Sequence, residues 1–375
     1  MTKHASRWLI LVALATPLVA CGGGSDPGAT GTSAPTTTEA VESTVPATDV
    51  ATTLPATTLP PTLNLADLPG LLAVEATSCG VEPVPMMYEI PDSVICTMRP
   101  DGTGAQWVSL PGEDPSSPVL LRDGRHMLYQ AFRSRYGMLL DLTTGERRER
   151  VANEPLRLGT SPDGKWILFY DAEADGLAVA TVDMVPMADG LKWRVVVPDY
   201  YATGGSWAPD SNRFAYLSTA DGAGGELECP EVWVGSIDGA APTQITDFAS
   251  GPDGAVGCPE TARWSPTTDT ILIRMLGKPA FVAENLYTIK ADGTDLTALT
   301  HAEPDFDPEA STYAVAGASY AGDWSPDGAY IAFIMGNGEG YDLYVMNADG
   351  SQVTKIADAP LGITTSLIML RWALG

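Results

Sequence analysis

Two short motifs alternate along the chain from about residue 95 to its C-terminal end. The clearest copy of the first is Trp324-Ser325-Pro326-Asp327-Gly328, followed by the apolar run Ala329-Tyr330-Ile331-Ala332-Phe333-Ile334. Relatives are Thr160-Ser161-Pro162-Asp163-Gly164, Trp207-Ala208-Pro209-Asp210 and Trp264-Ser265-Pro266, with degraded copies at Leu120-Leu121-Arg122-Asp123-Gly124 and Arg371-Trp372-Ala373. Anchors at 120, 160, 207, 264, 324 and 372 are thus 40 to 60 residues apart, the length of one four-stranded unit in a radial repeat. The best copies of the second motif are Leu343-Tyr344-Val345-Met346-Asn347-Ala348-Asp349-Gly350 and residues 286–293; weaker ones begin at Ile95, Leu139, Val179 and Val232.

Each motif has a mechanical reading. In Ser-Pro-Asp-Gly, proline presets φ, aspartate bonds to nearby backbone and glycine tolerates positive φ, as a tight turn requires. Asp-Gly between two apolar runs signals a hairpin. A unit therefore reads strand A, tight turn, strand B, variable loop, strand C, Asp-Gly turn, strand D. Strand B is apolar on consecutive residues, as in Trp166-Ile167-Leu168-Phe169, so both its faces need covering. Radially packed blades cover both faces and leave short edges.

The phase of the two series predicts closure. The hairpin at Asp101-Gly102 has no strand-A motif where one belongs, and the strand A ending near Trp372 has no blade after it. Joining them gives an all-β, six-bladed propeller of four-stranded antiparallel blades, closed by the C-terminal strand in blade one. The repeated Trp-Ser-Pro-Asp-Gly and Leu-Tyr-x-Met-x-Ala-Asp-Gly segments resemble the TolB-like propeller repeats over roughly residues 80–375. That resemblance implies a non-enzymatic binding scaffold, or an accessory domain beside a hydrolase.

The chain ahead of the repeats is of another kind. Lys3 and Arg7, an apolar run over residues 8–15 and Leu18-Val19-Ala20-Cys21 have the layout of a signal peptide over residues 1–20. The last four residues resemble the lipobox of bacterial lipoproteins, which implies lipid on Cys21 and an extracytoplasmic protein anchored to the cell membrane through that lipid alone. Residues 21–69 are rich in Thr, Pro and Ala and cannot bury enough apolar surface to fold. An extended tether, at ~3.1 Å per residue, reaches on the order of 100 Å. The propeller is assigned to residues 70–375.

Export places the remaining cysteines, Cys79, Cys96, Cys229 and Cys258, where disulfides persist. Three pairings are open to them, and proximity favours Cys79–Cys96 and Cys229–Cys258. The 47 acidic residues outnumber 21 basic ones, and loss of Lys3 and Arg7 leaves a net charge near −28. Nucleic acid, which needs a basic footprint, is excluded as a partner.

Function belongs where the repeat is interrupted. In a four-stranded meander the A–B and C–D turns share one end, while B–C and D–A connections share the other. The long connections, residues 219–231, 249–262 and 301–323, all fall on the second end, and a Cys229–Cys258 bridge joins two of them. They carry the candidate ligand-binding residues Glu226, Glu228, Glu260, His301, Asp305, Asp307 and Glu309, together with Glu231 and Asp323. An envelope protein, peptide or glycan suits this acidic face of a monomer. No catalytic residue, metal site or cofactor is assigned. Asp305-Phe306-Asp307-Pro308-Glu309 offers oxygen ligands suited to Ca²⁺ but lacks the glycine and spacing of an EF-hand loop. The alternative function is an exported glycan hydrolase or lyase using loop carboxylates.

Overall fold

A computed structural model describes residues 63–76, 94–109, 113, 115–121, 123–131, 136–152, 157–171, 174–182, 193–199, 202–219, 229–248, 257–276, 284–302, 317–337, 341–357 and 370–373. Blade one contributes Leu71–Ala76 (β1), Val94–Met98 (β2) and Gln106–Trp107 (β3). Blade two is Pro115–Leu120 (β4), His126–Ala131 (β5), Tyr136–Asp141 (β6) and Arg147–Ala152 (β7). Blade three is Arg157–Thr160 (β8), Trp166–Asp171 (β9), Gly176–Thr181 (β10) and Trp193–Val197 (β11). Blade four is Thr203–Trp207 (β12), Arg213–Ser218 (β13), Glu231–Ser236 (β14) and Thr243–Gln244 (β15). Blade five is Cys258–Trp264 (β16), Thr270–Leu276 (β17), Glu284–Lys290 (β18) and Thr297–Ala298 (β19). Blade six is Ser319–Trp324 (β20), Tyr330–Gly336 (β21), Tyr341–Asn347 (β22) and Thr354–Ala357 (β23).

Leu370–Ala373 (β24) then returns to blade one. It lies antiparallel to β1, with Leu72 opposite Trp372 and Val74 opposite Leu370, so the sheet order is β24-β1-β2-β3. The ring is closed by its own last strand, in the place the phase of the motifs predicts.

The six anchors lie at the ends of the six strands A, at Leu120, Thr160, Trp207, Trp264, Trp324 and Trp372. The A–B turns of blades three and six are held by their own side chains. The Ser161 hydroxyl donates to Asp163 (2.6 Å) and accepts the Trp166 N–H (3.0 Å); Ser325 does the same with Asp327 (2.6 Å) and Tyr330 (2.9 Å). Gly328 holds φ +70° there, and a β-carbon on it would run into the Thr267 hydroxyl of the preceding blade. The Asp-Gly turns work alike: Asp101, Asp292 and Asp349 each accept the backbone N–H two residues on, from Thr103, Thr294 and Ser351, at 2.8 to 3.0 Å. Hydrogen bonds from these neighbours, the side-chain ones foremost, hold the three carboxyls below the usual carboxylate range.

Strands B are buried on consecutive residues, as their composition predicts: Phe214 to Leu217 in β13 and Ile271 to Met275 in β17. Both faces are covered because the core is divided among the blade interfaces. One cluster joins blades six and one through Leu72, Ile334, Leu343 and Trp372; another joins four and five through Leu217, Val232, Ile271 and Ile273. Four further clusters fill the other four interfaces. Each face of a blade is thus half of a core that its neighbour completes, which is why closure matters to every blade.

Residues 63–69, read from the sequence as the end of the tether, lie on the propeller. Leu65–Asp67 forms a 3₁₀ turn, Leu68 is buried, Leu63 and Leu65 pack against the core of blades six and one, and the Leu63 N–H donates to Gln352 Oε1 (2.7 Å). Among the described residues no helix is long and apolar enough to cross a membrane.

Candidate functional site

The connections sort by end as the meander requires. The A–B and C–D turns occupy one end, and the B–C and D–A connections occupy the other. Cys229, just ahead of β14, and Cys258, the first residue of β16, are joined by a disulfide with Cα atoms 4.9 Å apart. The bridge ties the B–C connection of blade four to the connection between blades four and five. Cys96, buried in β2, is also disulfide-bonded, and its expected partner Cys79 lies outside the described residues.

The strands reach further into the expected loops than their sequence suggests. Glu231 opens β14, is buried and accepts a hydrogen bond from the Thr246 hydroxyl (2.6 Å). Asp323 is the fifth residue of β20 and faces the central channel, so it does not belong to the acidic loop face. Both segments are strand because they pair with the adjacent strand of their own blade, Glu231 opposite Ser218 and Asp323 opposite Ala332, a pairing that loop-like composition conceals. Of the candidate ligand-binding residues, His301 is exposed just after strand D of blade five, and Glu260 sits in β16. Glu226, Glu228, Asp305, Asp307 and Glu309 lie outside the described residues.

Glu260 is not a lone acid. It pairs with Arg274 of β17, whose guanidinium also donates to the carbonyl of Tyr320 and lies 3.4 Å from Glu284 Oε2. Arg274 is 8% exposed and Glu284 9%. Burial pushes the Glu284 carboxyl up and the Arg274 guanidinium down, while each draws the other back toward its charged form. Loop composition, free of Lys and Arg, hid this cation because it arrives from strand B. Among the described residues no group of three or more His, Cys, Asp or Glu is placed to hold a metal ion.

A second site, missed by the sequence reading, lies on the axis. At the turn end a cavity of about 240 Å³ is walled by strand-A ends and by Pro162, Pro266 and Pro326 of the turns. The residue just before each anchor points there, one from each blade: Val119, Gly159, Ser206, Arg263, Asp323 and Arg371. Two of them latch neighbouring blades: Ser206 Oγ accepts the Trp264 N–H (2.8 Å) and Asp323 Oδ2 the Trp372 N–H (3.0 Å). Two indoles add a second latch between blades, Trp207 Nε1 donating to Gly159 O (3.1 Å) and Trp324 Nε1 to Arg263 O (2.9 Å), and within blade one Trp372 Nε1 donates to Pro69 O (2.6 Å).

Burial dominates the electrostatics here. It pushes the Asp323 carboxyl up, against Arg371, Arg263 and two backbone N–H donors; it pushes Arg371 down, against Asp323 and Glu75. Burial and then Arg371 push Arg263 down, with Asp323 opposing. Aligning the repeats and reading the position before each anchor exposes this cluster, because charge there departs from Val119, Gly159 and Ser206.

No family model matches the sequence, and no curated protein matches it. Solved structures do share the fold. TolB from Acinetobacter baumannii superposes with a TM-score of 0.59 at 16% identity over 81% of this chain, which spans 66% of that one. A putative TolB from Agrobacterium tumefaciens gives 0.54 at 15% identity, over 81% of this chain and 98% of that one. A chain of a nidogen/laminin complex gives 0.51 at 12% identity, over 76% and 92%. With six four-stranded blades and a returning last strand, the chain has the TolB-like six-bladed β-propeller fold.

Proposed function

We propose that this protein is an exported, lipid-anchored binding scaffold. It holds an envelope protein, peptide or glycan on the end of the propeller that carries the B–C and D–A connections. The observation that carries the reading is the Cys229–Cys258 bridge, which fixes two long connections to each other on a closed ring. Loops on a rigid frame supply binding residues, and a cross-link reduces the ordering cost that a partner must overcome. The nidogen/laminin neighbour places a chain of this fold in a protein assembly, which supports a protein or peptide as the partner. In this reading lipid on Cys21 anchors the chain and the Thr/Pro-rich segment carries the propeller away from the membrane.

Capture from solubilised envelope and cell-wall fragments tests the proposal. The intact protein is compared with a variant in which residues 219–228 are replaced by a short Gly-Ser link. A partner retained by the first and lost by the second supports the rim. Equal capture by both variants overturns it, as does glycan turnover by the purified protein. Cys21→Ser is expected to move the protein from the membrane to the soluble fraction; unchanged partitioning refutes the lipid anchor.

A further inference from the structure

We propose that the turn end of the central channel is a binding site for a small oxyanion, a carboxylate, phosphate or sulfate, gripped by Arg263 with Arg371 beside it. This site lies at the opposite end of the blades from the proposed partner-binding rim and does not depend on that reading.

Three observations converge. First, the cavity has a charge opposite to that of the protein as a whole. The chain carries −26 overall, yet the charged residues that line this cavity are two arginines and one aspartate. Second, the aspartate is committed elsewhere. Its Oδ1 accepts the Trp324 N–H and its Oδ2 the Trp372 N–H, both at 3.0 Å, so it serves the seam between the last strand and blade six. Already engaged by two backbone N–H donors, Asp323 faces two guanidinium groups, and Glu75 supplies a second negative charge on the Arg371 side.

Third, Arg263 has donors to spare. A guanidinium presents five N–H groups in a planar fork that matches an oxyanion. Within the described residues the hydrogen bond Arg263 makes is a long one, Nη1 to Gly205 O at 3.4 Å. Arg263 is half-buried, so its remaining N–H groups are open to an anion that enters the channel. The neighbouring blades leave room on its side of the channel: Gly159 and Gly205 have no side chains, and a β-carbon at Gly159 would meet nothing within 4 Å.

Size sets the ligand class. At about 240 Å³ the cavity is smaller than the ~300–1,000 Å³ typical of drug-sized ligands. Its proline-lined mouth suits a single anionic group, free or at the tip of a larger molecule. The acidic surface around it disfavours polyanions.

Calorimetric titration of the purified protein with sodium phosphate, sulfate or acetate, against chloride at matched ionic strength, tests the site and separates the anion types. Saturable binding of at least one oxyanion is expected, weakened about tenfold or more by Arg263→Gln, as loss of a charge-assisted hydrogen bond implies. Arg263→Lys, which keeps the charge and loses the fork, guards against a folding defect and is expected to bind more weakly than the parent. Asp323→Asn is expected to bind more tightly, because a competing negative charge is gone. No saturable binding by the parent up to on the order of 10 mM, or equal binding by parent and Arg263→Gln, overturns the proposal.

Discussion

Ending the chain at residue 369 removes β24 and leaves every other strand in place. The cost is set by the groups that strand buries. Leu370 is 1% exposed and Trp372 6%. Truncating such side chains to alanine costs about 2–5 kcal/mol for leucine and 3–5 kcal/mol for tryptophan. Deletion also leaves Asp323 Oδ2 without the Trp372 N–H and the Pro69 carbonyl without the indole donor, each worth about 1 kcal/mol or more. These groups share one cluster and do not add fully. A loss of at least about 5 kcal/mol remains, comparable with the ~5–15 kcal/mol that holds a typical domain folded. Guanidinium titration followed by tryptophan fluorescence measures the loss, and limited proteolysis reads whether β1–β3 open first. Trp207→Ala is the control. Trp207 is also 6% exposed and donates its indole N–H to a neighbouring blade, but it sits inside the ring rather than at its seam. The truncated chain is expected to be clearly less stable than Trp207→Ala and to be cleaved in blade one. Stability equal to or above that of the control would refute the claim that the last strand seals the ring.

Other perturbations act through the same contacts. Arg274→Met leaves Glu284 and Glu260 without their cation and is expected to cost about 3–5 kcal/mol by denaturant titration; adding Glu284→Gln should restore part of it, and no restoration would show that packing dominates. Opening the disulfide by Cys229→Ser with Cys258→Ser frees a separation of 29 residues, a loss of roughly 3–4 kcal/mol on the chain-entropy view; an unchanged melting temperature would contradict it. Gly328→Ala is expected to destabilise blade six through positive φ and the Thr267 contact, and Thr267→Ala should relieve only the second part. Asp101, Asp292 and Asp349 have carboxyls held below their ordinary value, so their contribution is present above about pH 4 and is lost as pH falls through the lowered folded values. Replacing all three with Asn should flatten the acid limb of a melting-temperature profile, and an unaltered limb would assign it to other carboxylates.

The propeller was legible in the sequence because its turns are local. Ser325, Asp327 and Gly328 make their turn with one another and with Tyr330, so the fold's punctuation is written within six residues and repeats wherever the blade does. The blade count and the returning last strand come from the phase of that punctuation. The Cys229–Cys258 bridge was legible from proximity in the sequence, and it agrees with the meander, which assigns both connections to one end.

Charge placement depended on neighbours distant in the chain. Arg263, Asp323 and Arg371 come from three blades, and Trp372 meets Pro69, 303 residues earlier in the chain, within blade one. Arg274 reaches Glu260 from another strand, which turns an expected ligand-binding acid into half of an ion pair. Local sequence therefore determined where the chain turns and how many blades it makes. Only the closed ring decided which side chains face its axis and which charges it buries, because those contacts exist only when every blade is packed against the next.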